Sequence, residues 1–125
     1  MEINQVTEVI VDAAMKVHSA LGPGLLESAY EACLVHELRK RGLKAESQVP
    51  MPLLYDGKKM DVGYRADVLV EDGVIVELKA VDKLLPIHSA ILLSYLKLSG
   101  LKVGLLINFH VPHLKDGIKR MVNNL

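Results

Sequence analysis

Three charged side chains near the middle of the chain have types and a spacing suited to joint chemistry. Asp67 is followed by Glu77, and Lys79 comes shortly after it. Carboxylates are hard oxygen ligands for Mg²⁺ or Mn²⁺, and the backbone carbonyl of Leu78 would be another. Lys79 follows Glu77 by two residues, a spacing that returns its ammonium group to the same face of a strand. These residues therefore indicate a site for a divalent metal ion, provided that the fold brings them together.

A β-hairpin is predicted to position these groups. The runs Tyr64–Val70 and Val74–Ala80 are rich in β-forming residues and flank the turn Glu71–Gly73. We expect Gly73 to take the positive φ that closes a three-residue loop. Such a loop pairs the two strands so that Asp67 lies opposite Glu77.

Hydrophobic alternation favours this register, because a slip of one residue would mix apolar and charged side chains on both faces. One face is then apolar and carries Tyr64, Ala66, Val68, Val70, Val74, Val76, Leu78 and Ala80. The other face carries the charged residues, which are Arg65, Asp67, Glu77 and Lys79.

Two interpretations of the charged face remain open at this point. Carboxylates directly across a strand pair repel each other, and a divalent cation between Asp67 and Glu77 would relieve that repulsion. Alternatively, the face is solvated and ion-paired, with Asp67 beside Lys79 and Arg65 beside Glu77. Surface ion pairs of this kind are common and weak.

The order of these motifs resembles a known group of enzymes. Asp67, then Glu77-Leu78-Lys79 after a short hairpin, followed by a helix and a strand, is similar to the core of the PD-(D/E)XK nuclease superfamily. The segment Gly24-Leu25-Leu26-Glu27-Ser28-Ala29-Tyr30 resembles the signature of the GxxExxY family within it. The similarity runs from about Ile10 to the C-terminus. It implies an α+β, restriction-endonuclease-like fold with a mixed central sheet flanked by helices and the core order α-β-β-β-α-β.

The resemblance also implies roles for residues outside the hairpin. Glu27 would be an outer or direct metal ligand, and Tyr95 would face the active site from the helix after the hairpin. Members of the superfamily often carry a glutamine four residues before this tyrosine, whereas this chain has Ile91 there. The absence of that amide would remove a polar contact to the phosphate or to the attacking water.

Helical spacing of apolar residues predicts the elements around the hairpin. Apolar stripes indicate helices over Val6–Leu21, Leu25–Arg41 and Ile87–Leu98, and a short basic helix over Leu114–Val122. Strands are expected at Lys44–Val49, at a short hairpin from Leu53 to Val62, and at Lys102–Phe109. Pro50 and Pro52 suggest a sheet edge or a bulge. The last strand follows a helix, so we expect it to pair in parallel.

Length and composition limit the classes of protein. A chain of 125 residues suits a single domain covering 1–125. Lys plus Arg number 15 and Asp plus Glu number 15, so contact with nucleic acid requires a local patch. A lone cysteine, Cys33, and the lack of a signal peptide or membrane span predict a cytoplasmic protein with no membrane partner. The high apolar content makes a homodimer plausible.

Two functions follow from the sequence. The first is a nuclease that uses Mg²⁺ or Mn²⁺ and acts on DNA or RNA, with Lys79, Asp67, Glu77, Glu27 and Tyr95 in the active site. The second is a catalytically inactive binding or assembly module that keeps the nuclease fold. The second is favoured by Ile91, by the zero net charge and by the small size of the chain.

Overall fold

The chain folds into a five-stranded sheet with helices on both faces. The computed structural model describes residues 1–124, apart from the side chain of Val62. The elements in chain order are α1 Ile3–Leu21, α2 Glu27–Lys40, β1 Ala45–Tyr55, β2 Lys58–Val70, β3 Val74–Lys79, α3 Pro86–Ser99, β4 Val103–Asn108, a 3₁₀ turn Leu114–Gly117 and β5 Ile118–Val122. No helix within residues 1–124 is long and apolar enough to cross a membrane.

The sheet order is β1-β2-β3-β4-β5, and all neighbours are antiparallel except β3 and β4. The parallel pair arises because α3 carries the chain from the end of β3 back to the start of β4. The predicted restriction-endonuclease-like fold is thus confirmed, with α2-β1-β2-β3-α3-β4 as its core. β1 lies at the edge of the sheet. An edge strand tolerates Pro50 and Pro52, because proline has no N–H to donate to the ladder of hydrogen bonds.

Two apolar cores lie on opposite faces of the sheet. Helices α1 and α2 cover the larger core, in which the fully buried Ile10, Tyr30 and Leu34 meet alternate residues of β3 and β4. Helix α3 covers the smaller core with Leu92 and Leu96. Both faces of β3 and β4 are therefore buried, which explains why their sequences are almost continuously apolar.

The segment after β4 differs from the predicted helix. Residues 114–117 form one 3₁₀ turn, and residues 118–122 add the strand β5 antiparallel to β4. The backbone at Gly117 passes close to the end of β4, where an added Cβ would lie far inside contact distance of the Asn108 carbonyl oxygen. Ile118 packs with the larger core and Met121 with the smaller one, so these two apolar residues lie on opposite faces of β5.

The hairpin turn also differs from the prediction in one detail. Val70 pairs with Val74 as expected, but Glu71 and Asp72 adopt the positive φ angles, 52° and 54°, while Gly73 does not. Contacts with the segment before β1 support this conformation. The Glu71 carboxylate accepts a hydrogen bond from the Lys44 backbone N–H at 2.8 Å, and the Lys44 ammonium lies 3.0 Å from the Asp72 carboxylate.

Candidate active site

The candidate site lies where β2 separates from β3. Their paired register runs from Val70 and Val74 to Val68 and Val76. Beyond that point side-chain carboxylates bridge the strands. The Leu78 backbone N–H donates to Asp67 Oδ2 at 2.8 Å, and the Asp67 backbone N–H donates to Glu77 Oε1 at 3.2 Å. Both acids are therefore fixed at one gap in the sheet.

An irregularity in two strands accompanies this gap. The register of β1 with β2 skips Gln48 and Asp67, and Gln48 has a φ of 53°. Within β2, Ala66 lies in the smaller core whereas Val68 lies in the larger one. Because alternate residues of a regular strand share a face, the alternation of β2 is interrupted between Ala66 and Val68, although its pairing register with β1 is the same on both sides of Asp67. Irregularities of this kind re-aim side chains, and this one turns Asp67 toward β3.

Glu77 is held on the α3 side of the gap. The residue is buried, with 9% of its surface exposed, and the Tyr64 hydroxyl donates a hydrogen bond to its Oε1. The Tyr64 ring stacks on Tyr95 of α3 with ring centroids 3.7 Å apart. Oε1 thus receives both protein donors, which leaves Oε2 for another ligand.

Burial raises the pKa of the Glu77 carboxyl from 4.5 to about 7. The Asp67 backbone N–H and the positive charge of Lys79 act in the opposite direction, while the negative charges of Glu27 and Glu31 raise the pKa further. A buried carboxylate that has lost hydration is stabilised by a cation. The site therefore favours either a proton or a positive ion at Glu77.

The donor set fits a small divalent ion. Leu78 donates its N–H to Asp67, and the N–H and C=O of one strand residue point to the same side, so the Leu78 carbonyl also faces the gap. Asp67, Glu77 and this carbonyl offer only oxygen, the ligand type that Mg²⁺ and Mn²⁺ prefer. Within residues 1–124 no three His, Cys, Asp or Glu side chains form a ready-made metal site. Magnesium commonly needs only one or two carboxylates, with water and substrate completing its shell.

The remaining predicted residues lie at different distances from the gap. Lys79 is half-buried on β3, and its charge acts on Glu77. Tyr95 is half-buried and reaches the acids only through Tyr64. Glu27 is exposed in the first turn of α2 and acts on Glu77 through its charge.

The predicted face of four charged residues is wrong in one respect. Tyr64 and Ala66 pack toward α3, on the side of Glu77, so Arg65 between them lies on the opposite face of the sheet from Glu77. Arg65 donates to the backbone carbonyl of Gln48 at 3.2 Å. The alternative face of diagonal ion pairs is not formed, since the described residues contain no ion pair from Arg65 or Lys79 to either acid.

Three residues at the site, Tyr64, Glu31 and Gln48, are not predicted from the sequence. Strand alternation predicts Tyr64 on the opposite, apolar face, whereas its hydroxyl contacts Glu77. Glu31 of α2 accepts a hydrogen bond from Gln48 Nε2 at 2.7 Å, and the same nitrogen lies 3.4 Å from Asp67 Oδ1. Glu31 follows Glu27 by one helical turn, a spacing that puts both carboxylates on one side of a helix and could have indicated its position. Nothing in the sequence signals the backbone conformation of Gln48.

Comparisons with known proteins agree with this architecture. The family model of the PD-(D/E)XK nuclease superfamily matches residues 4–121. Among solved structures, the crystal structure of SSO0001 is similar, with a TM-score of 0.51 and 22% sequence identity. The likeness covers 94% of this chain and 57% of that protein, so this chain spans little more than half of its length. At this identity the likeness concerns the fold alone. No curated protein matches the chain.

Proposed function

Because the chain belongs to the PD-(D/E)XK nuclease superfamily, we propose that it is a metal-dependent nuclease that hydrolyses phosphodiester bonds in DNA or RNA. Nucleases of this superfamily generally use divalent metal ions, and we propose Mg²⁺ or Mn²⁺ here. The observation that carries the proposal is the meeting of Asp67 and Glu77 at the gap between β2 and β3, with Lys79 beside them.

The residues of the site have separable roles in this proposal. Asp67, Glu77 and the Leu78 carbonyl would hold the ion, which when bound supplies positive charge that acidifies water and offsets charge on the phosphate. The Lys79 ammonium would orient the attacking water or balance the charge that develops on the phosphate. Tyr64 would fix the Glu77 carboxylate through its hydroxyl, and Tyr95 would support the Tyr64 ring by stacking.

Of the two roles that the resemblance implies for Glu27, an outer or a direct ligand of the ion, we propose the outer one. Its exposed position at the start of α2 suits an outer contribution, through its charge or through water, better than direct ligation. We also propose the finer assignment to the GxxExxY family. Tyr30 of that signature supports it, because its buried hydroxyl donates to the Gly22 carbonyl at 2.5 Å and accepts from the Leu25 N–H at 3.1 Å. These bonds fasten the loop before α2 and so place Glu27.

A second function, a catalytically inactive binding or assembly module, is favoured by one observation. Ile91, in the position where relatives often carry glutamine, is 43% exposed on α3 and provides no polar group. A local contact with nucleic acid, a homodimer and a cytoplasmic location also remain proposals. Sedimentation velocity at micromolar concentration tests the dimer.

A nicking assay tests the nuclease proposal. Purified protein is incubated with supercoiled plasmid and with single-stranded DNA and RNA, in Mg²⁺, in Mn²⁺ and in EDTA. We expect cleavage that requires the metal and is lost in Asp67→Asn and in Lys79→Ala. Glu8→Gln, which changes an exposed acid of α1, serves as the control and should cleave normally. Equal residual activity in wild type and both site variants would identify a contaminating nuclease and defeat the proposal.

A further inference from the structure

Gln48 has an unusual backbone conformation for its place in the fold. Five non-glycine residues in the described chain have positive φ, and four of them lie in turns or near the C-terminus. Gln48 alone lies inside a strand, with φ of 53° in the middle of β1. A glutamine in this region costs conformational energy, and such outliers persist where the surrounding structure requires them.

The side chain of Gln48 explains what this conformation achieves. Its Nε2 lies 2.7 Å from Glu31 Oε1 and 3.4 Å from Asp67 Oδ1. Both neighbours are acceptors, and an amide nitrogen has two N–H donors, so one group can serve both carboxylates. Gln48 thereby links α2 to β2 at the gap in the sheet.

This link acts on the second oxygen of Asp67. Asp67 Oδ2 already accepts the Leu78 N–H at 2.8 Å. With Gln48 at Oδ1, both oxygens are restrained and the carboxylate plane has a fixed orientation. Arg65 donates to the Gln48 carbonyl at 3.2 Å and supports the strained backbone from β2.

We propose that Gln48 is a positioning residue: anchored on Glu31, its amide orients the Asp67 carboxylate for the divalent ion. The part of this inference that concerns the ion rests on the proposed function. The orientation of Asp67 by Gln48 does not depend on that function. Residues that orient metal ligands typically change metal affinity by roughly 10- to 100-fold when removed.

The test uses Gln48→Gly, because glycine adopts positive φ without steric cost and lacks the side chain that carries the amide. Asp56→Gly is the matched control. Asp56 has a φ of 54° in the turn between β1 and β2, so this change relieves the same backbone conformation away from the carboxylates. Gln48→Asn, which also tolerates positive φ but is shorter by one methylene, carries the same expectation and replaces Gln48→Gly if that variant folds poorly.

Two measurements are made on each protein. The first is hydrogen exchange of the Leu78 amide without metal, expressed relative to the amides of β4. We expect this ratio to rise about tenfold in Gln48→Gly, the equivalent of one charge-assisted hydrogen bond, and to stay constant in Asp56→Gly. The second is calorimetric Mn²⁺ affinity, which should weaken about tenfold in Gln48→Gly and not in the control.

The outcomes separate the two proposals. An unchanged exchange ratio in Gln48→Gly, or an equal rise in Asp56→Gly, would overturn the positioning role. An unchanged Mn²⁺ affinity together with faster Leu78 exchange would overturn the link to the ion. If wild type binds no Mn²⁺ while Leu78 exchange rises selectively in Gln48→Gly, the orientation of Asp67 by Gln48 stands and the proposed nuclease function fails.

Discussion

Replacing Glu77 by glutamine should stabilise the metal-free protein at alkaline pH. The pKa of this buried carboxyl is raised from 4.5 to about 7. A carboxyl with a raised pKa stays protonated in the folded state where the unfolded chain has lost the proton. Its contribution to stability is fully present below about pH 4.5 and is lost as the pH rises through 7. Above pH 7 the wild type therefore carries a buried charge that glutamine lacks.

The size of the effect follows from the shift. Each pKa unit corresponds to 1.36 kcal/mol, so a rise from 4.5 to about 7 amounts to about 3 kcal/mol at pH 8. Glutamine preserves the shape of the side chain, and its carbonyl oxygen can still accept from Tyr64 and from the Asp67 N–H. For a domain of this length we expect a higher melting temperature for the variant at pH 8, on the order of 10 °C.

Urea unfolding of wild type and Glu77→Gln at pH 5 and pH 8, with EDTA present, measures this effect. The difference between the two proteins should change by about 2.5 kcal/mol between the two pH values, in favour of the variant at pH 8, because a small part of the effect is already present at pH 5. Taking the difference removes the titration of groups that both proteins share. Glu8→Gln should show no such change. A difference that is constant with pH, or a wild type that gains on the variant at pH 8, would refute the account of Glu77.

Three further predictions concern single side chains. Lys79→Ala should abolish nicking but leave the Mn²⁺ dissociation constant within about threefold in calorimetry, because an ammonium is not a ligand; loss of binding would contradict its role. Tyr64→Phe removes a hydrogen-bond donor to the Glu77 carboxylate. The pH at which half of the stability linked to Glu77 is lost should therefore rise, and the free energy of unfolding at pH 8 should fall by about 1–3 kcal/mol. An unchanged midpoint would show that this hydrogen bond is unimportant. Gly117→Ala should destabilise the fold by more than about 2 kcal/mol in thermal unfolding, because its Cβ would overlap the Asn108 carbonyl, whereas Gly104→Ala, which meets only the Leu92 side chain at 3.0 Å, should cost less.

The strand register could be predicted from the sequence because alternation acts locally. Placing Val70 opposite Val74 keeps apolar residues together, and the structure pairs them. The faces of Tyr64 and Ala66 could not be predicted in the same way. The one-residue irregularity at Asp67 depends on Gln48 in another strand and on packing against α3, and periodicity within β2 contains no information about either.

The C-terminal segment shows a second limit. Its apolar residues, Ile118 and Met121, are three positions apart, which is a helical spacing. The same spacing also suits a strand that packs against a different core on each face, as β5 does. The free edge of β4 decides between the two structures by offering backbone partners. For Glu31, the sequence shows part of the answer. Its spacing from Glu27 places both carboxylates on one side of α2, but only the packing of α2 against β1 shows that Glu31 contacts Gln48.

Calorimetric titration of the protein with Mn²⁺ at pH 8 tests the central claim most directly, namely that Asp67 and Glu77 hold one divalent ion at the gap between β2 and β3. Glu77 is largely ionised at this pH, so the metal competes with few protons. We predict one binding event in wild type and in Glu8→Gln, and its loss in Asp67→Asn and in Glu77→Gln. Binding that persists unchanged in both site variants, or no binding to wild type at millimolar Mn²⁺, would contradict the account.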